Sequence, residues 1–168
     1  MIKIIKQNPL ISKNQLIMIK LFTLTTAALL ILLSCTKNDT KYSAGQEWNY
    51  KTRPTEENST LTILKIEEYP KTGKVIHISI SGLKMRNPNS PTGWAEKLTH
   101  IPISEEALDK SVTKVYKENS KMPDSLEMDG YSFWKKEFDK GDAGIFTIPV
   151  SEIVSSMEKL IIEGDYTK

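Results

Sequence analysis

"KVIHISISGL", Lys74 to Leu83, decides the fold. Ile76, Ile78 and Ile80 alternate with His77, Ser79 and Ser81, and a repeat of two is the mark of a strand with one face turned to a core. The spacing predicts that the three isoleucines are buried and that His77, Ser79 and Ser81 lie on the other face. Upstream, "EYPKTGK" (Glu68 to Lys74) supplies Pro70 and Gly73, the residues of a tight connection. It predicts a hairpin with "STLTILKIE" (Ser59 to Glu67), which is rich in β-branched and aliphatic side chains. "EWNYKT" (Glu47 to Thr52) alternates Trp48 and Tyr50 with polar residues and reads as a further strand. Beyond the polar, proline-containing loop "KMRNPNSPTG" (Lys84 to Gly93), "WAEKLTHI" from Trp94 reads as a fourth.

The second half reads as helices with one more strand. "IPISEEALDKSV" from Ile101 and "IPVSEIVSSMEKL" from Ile148 share a pattern of proline, aliphatic residue, serine and glutamate. Ser104 and Ser151 are expected to cap the two helices, with the carboxylate at the positive end of each dipole. Leu108, Val112 and Val115 would form the apolar stripe of the first helix. Ile153, Met157, Leu160 and Ile161 would form that of the last. Lys110, Lys114, Lys117 and Lys121 would then share one arc of the first helix, and glutamates at i±4 mark that arc as a solvated face. "DGYSFWKKEFDKG" (Asp129 to Gly141) places Tyr131, Trp134 and Phe138 at helical spacing, with Gly141 as a stop. "AGIFTI" (Ala143 to Ile148) is the last expected strand. The pattern predicts an α+β fold: a mostly antiparallel sheet of about five strands with about three helices packed on one face.

The single cysteine lies in "LLILLSCTKND", Leu29 to Asp39. The 13 uncharged residues from Leu21 to Leu33 fall short of the roughly 20 that span a bilayer and match the hydrophobic region of a signal sequence. Leu32, Leu33, Ser34 and Cys35 resemble the bacterial lipobox, in which the thiol is lipidated and becomes the mature N-terminus. That resemblance implies cleavage before Cys35, a lipid anchor and a place in the cell envelope, on the periplasmic or outer-membrane side. It divides the chain into a signal sequence (1–34), a lipidated cysteine with a tether (35–45) and one α+β domain (46–168). The 17 residues before Met18 fit a signal sequence poorly, and Met18 is the expected start.

Four of the 23 basic residues (Lys3, Lys6, Lys13 and Lys20) and none of the 21 acidic ones precede Cys35. The chain after cleavage would therefore carry 19 basic and 21 acidic residues, a formal charge of −2. Nucleic-acid binding loses the basic excess it requires. With its one thiol on lipid, the domain would have neither a disulfide nor a cysteine nucleophile.

Candidate site residues are few. His77 and His100 are the only histidines and are read as separate and half-exposed. One particular register of the third and fourth strands would set them opposite each other, with Glu96 near enough to complete a metal site. A slip of one residue removes that arrangement. The doublets Glu56-Glu57, Glu67-Glu68 and Glu105-Glu106 diverge on a strand or helix and form no ready acid–base pair. "DKGDAG" (Asp139 to Gly144) departs from a calcium-loop spacing. Trp134 and Phe138 are expected to anchor their helix on the sheet, leaving Tyr131 and Phe133 as candidate binding residues. No cofactor, metal site or catalytic residue is expected.

The segments Trp48 to Lys65, Ile76 to Leu83 and Phe133 to Ile148 resemble a family of small bacterial proteins to which no activity is attached. The resemblance implies that about Gly45 to Ile162 is one domain. The sequence thus reads as an envelope lipoprotein with a non-enzymatic binding domain for an envelope protein or component. The alternative is a hydrolytic or metal-assisted enzyme built on His77 and His100.

Overall fold

A computed structural model describes residues 40–120 and 122–164. The described residues form an α+β fold: five antiparallel strands in the order β4-β3-β2-β1-β5, with three helices. The strands are β1 (Glu47–Tyr50), β2 (Thr60–Tyr69), β3 (Gly73–Arg86), β4 (Trp94–Ser104) and β5 (Val112–Lys117). The helices are α1 (Glu105–Ser111), α2 (Ser125–Lys140) and α3 (Val150–Glu163).

Ile76, Ile78 and Ile80 are fully buried, as their alternation predicts. They join Leu61, Ile63, Ile101 and Ile103 in one core with Leu108 of α1 and Val150, Ile153 and Val154 of α3. His77 and Ser79 are buried as well, while Ser81 is exposed. Adjacent strand residues face opposite ways, so the opposite face of β3 is also covered. The cover is α2, whose Trp134 ring lies 4.7 Å from that of His77. The three helices are therefore divided between the two faces of the sheet and do not all lie on one. The signal is the unbroken buried run from Val75 to Ile80 in β3: a strand covered on both sides has no solvent face to show.

Three irregularities set which side chains meet. Ile63 pairs with Ile78, but Lys65 pairs with His77, so Leu64 is an extra residue in β2. This bulge turns Lys65, Glu67 and Tyr69 toward the His77 face, and Ile66 toward Ile76. Ile78 pairs with Ile101 and Ile80 with Leu98, leaving Thr99 and His100 of β4 opposite Ser79 alone. In β5, Trp48 pairs with Val115 and Tyr50 with Val112, a bulge near Thr113.

That last bulge corrects the expected first helix. Val112 and Val115, three apart, share a face on a bulged strand as they would on a helix. α1 ends at Ser111, whose hydroxyl donates to the Ala107 carbonyl and accepts from the Val150 amide at 3.0 Å. The lysine arc does not form: Lys110 closes α1 beside Glu106, Lys114 and Lys117 lie on β5, and Lys121 lies outside the described residues. "AGIFTI" contributes one parallel bridge, Phe146 to Ile103, in place of a strand.

Ser104 caps α1 by accepting from the Ala107 amide. Ser151 caps nothing, because α3 already starts at Val150 behind Pro149, whose fixed φ suits a helix start. Asp124 and Glu127 form a capping box at the head of α2, and Gly141 (φ 87°) ends it. Within the segment expected as a tether, Tyr42 belongs to the folded domain. Tyr42 is buried, packs its ring 5.3 Å from Trp48, and donates to Asp109 at 2.6 Å. Cys35, the residues before it that resemble a lipobox, and Met18 lie outside the described residues.

Candidate functional site

The β2 bulge, the β4 bulge and α2 bring one polar cluster together between sheet and helix. Glu67 is its base. One carboxylate oxygen accepts from the Tyr131 hydroxyl at 3.0 Å and faces Lys65 Nζ at 3.2 Å. The other accepts from the Tyr69 hydroxyl at 2.9 Å and meets His77 Nε2 at 3.2 Å. Partial burial pushes its pKa up, but the Tyr69, Lys65 and Tyr131 donors outweigh that and hold Glu67 below the ordinary range.

An ionised carboxylate only accepts, so His77 Nε2 carries the proton and His77 Nδ1 keeps a lone pair. His77 Nδ1 lies 3.0 Å from His100 Nε2, which therefore donates. The result is a directional chain from His100 through His77 to Glu67. Burial pushes both imidazoles down to about 4: Glu67 opposes the shift at His77, and the neighbouring His77 adds to it at His100. Both rings are neutral at pH 7.

Aromatic rings close the cluster. Tyr131 and Trp134 stand edge-on to His77 at 5.0 and 4.7 Å. Trp134 stacks on Phe138 at 4.6 Å, and its indole N–H donates to the Gly144 carbonyl at 2.8 Å. Lys65 Nζ sits 4.1 Å from the Tyr131 ring centre and donates to its hydroxyl. Gly130 allows α2 to approach, since a Cβ there would lie 2.8 Å from His100 Cβ.

Contrary to the expectation of two separate, half-exposed histidines, His77 and His100 are hydrogen-bonded to each other and His77 is buried. They meet diagonally, with His77 opposite Pro102 in the ladder. The partnering acid is Glu67. Glu96 lies at an exposed groove with Leu83, Lys84 and Trp94. Trp134 anchors α2 as expected, Tyr131 belongs to the cluster, and Phe133 is 70% exposed. Among the described residues, no group of three or more His, Cys, Asp and Glu side chains has the geometry to hold a metal ion.

A second charge centre is built on buried Glu56. Arg53 pairs with Glu56 through both guanidinium and carboxylate forks, at 2.9 and 2.6 Å. Its remaining nitrogen reaches Glu158 of α3 at 2.5 Å. Glu56 and Glu158 also accept from the Lys84 and Arg86 amides of β3. Pro54 and the glutamate doublet mark a turn in the sequence, but nothing there points to Glu158.

These features define an α+β domain whose sheet carries a covered core on one side and a partly buried carboxylate–imidazole–imidazole chain, centred on buried His77, on the other. No protein-family pattern matches this chain, and no curated protein or solved structure is significantly similar to it. No helix among the described residues is long and apolar enough to cross a membrane.

Proposed function

We propose that the protein is a non-enzymatic binding domain held in the bacterial envelope by lipid on Cys35, and that it engages an envelope protein through the outer side of α2. The observation that carries this reading is the burial of His77. Both of its nitrogens are used inside the cluster and its ring is buried, which keeps the central imidazole from direct contact with a substrate. The outer side of α2 is different. Leu126 and Phe133 are 61% and 70% exposed and stand seven residues apart, on one side of the helix. An exposed apolar pair on a polar helix is the kind of anchor that protein interfaces use. Of the two candidate residues, Tyr131 has its hydroxyl engaged by Lys65 and Glu67, which leaves Phe133 as the contact.

The test places a photo-crosslinking side chain at position 133 of the full chain in cells, with Lys159 on α3 as the comparison site. The expected result is a discrete adduct from position 133 that Leu126→Asp removes, with none from position 159. Equal labelling at both sites, or none at either, refutes the interface. Cys35→Ser is expected to move the protein out of the membrane fraction, and unchanged fractionation refutes the anchor.

A further inference from the structure

We propose that α2 is a proton-released helix: the neutral His77–His100 pair seats it on the sheet, and protonation of both rings lifts it off.

The seat is unusually polar. α2 has 16 residues, yet only Glu127 and Trp134 are buried, whereas α3 buries Val150, Ile153 and Val154 in the core. A helix with so little apolar contact belongs to the low-stability part of a structure. Trp134 and Tyr131 rest directly on the imidazoles, and Gly130 rests on His100. The charge state of that pair therefore controls what α2 sits on.

Proton counting makes the response steep. In the neutral pair, His100 Nε2–H donates to His77 Nδ1. One added proton is tolerated, because a single imidazolium still donates to its neutral partner across the same 3.0 Å. Two added protons place N–H against N–H and two positive rings face to face. Glu67 meets His77 Nε2 and offsets part of that charge, but it is not free to offset both. From β2, Glu67 already serves Lys65, Tyr69 and Tyr131. From α2, Lys135 is paired with Asp139 and Glu127 with Lys97 of β4. Lys97 also pairs with Asp124, and the carboxylate that touches the imidazoles is Glu67, so a doubly protonated pair sets two positive rings against one carboxylate already shared with three donors.

The low affinity of both rings for protons in the closed form sets the direction. An exposed imidazole takes a proton near pH 6.5, while these hold out to about 4. Between those values the open form binds more protons, and acid favours it.

The experiment is hydrogen exchange of the full chain followed by mass spectrometry from pH 7 to 5, corrected for intrinsic exchange rates. Two histidines released together predict that α2 opening rises by roughly a hundredfold or more over that range. α3 should stay protected throughout. His100→Gln retains a hydrogen-bonding side chain but removes one titrating group, and its α2 opening should rise by about thirtyfold at most. Where that variant does not fold, the wild-type pH slope alone decides, and more than one proton per opening is required. Parallel loss of α2 and α3, a slope of one proton or less, or a wild-type slope in His100→Gln overturns the proposal.

Discussion

Gly130→Ala sets two opposed effects against each other. Alanine in place of glycine inside a helix is worth about 0.8–1.0 kcal/mol of propensity. Against this, the new Cβ would stand 2.8 Å from His100 Cβ, 3.5 Å from its Cγ and 3.8 Å from Thr99 Oγ1. Carbon atoms rest at about 3.5–4.0 Å, so α2 must withdraw by roughly 0.7 Å or more at this point. His100 cannot yield easily, because it sits on the β4 bulge and is bonded to His77. Overpacking of this kind costs about 1–3 kcal/mol, which exceeds the propensity gain over most of its range. The expected net loss is about 1 kcal/mol, read as a lower urea midpoint at unchanged slope. Gly144→Ala is the control, since a Cβ there meets nothing within 4 Å, and it should be neutral or slightly stabilising. If Gly130→Ala instead stabilises by about 1 kcal/mol, α2 does not lie against β4 at this height.

Ile78→Ala should cost about 2–5 kcal/mol in urea unfolding, since Ile78 is fully buried between β2 and β4; a loss below 1 kcal/mol would place it on the wrong face. Glu56→Ala should cost about 3 kcal/mol, the low end for a broken buried pair, because Arg53 keeps Glu158 as a partner. In a double-mutant cycle with Arg53→Met, the two changes should cost clearly less together than the sum of the singles. Strict additivity would mean that the charge centre is not coupled.

Much of the sheet was legible because β3 announces itself. The isoleucine alternation, the Pro70–Gly73 connection and the Trp48/Tyr50 pair all carry local signals, and the α+β class follows from them. What misled was the bulge. Val112 and Val115 have helical spacing, and a bulged strand produces the same spacing when it must keep both residues on a core. The site was hidden for the same reason. Strict alternation along β2 would place Lys65 and Glu67 beside Ile63, and only the extra residue at Leu64 sends them to His77. The β4 bulge does likewise for His100. Arg53 and Glu158 are joined by tertiary packing alone, and no local pattern reports a pair so distant in the chain.

The placement of β1 has a consequence for how the chain acquires its fold. This four-residue strand is flanked by β2 on one side and β5 on the other. Glu47 pairs with Thr62 in the first ladder and with Lys117 in the second. The first contact is available early, while the second closes a loop that contains β2, β3, β4 and α1. Non-local pairing of this kind slows folding, since the closure entropy is spent before the contacts form. Val115→Ala should therefore accelerate unfolding in stopped-flow experiments while leaving the folding rate nearly unchanged. During synthesis, the outer edge of β1 stays unpaired until Lys117 has left the ribosome, and for that interval it is an open strand edge available to a second chain.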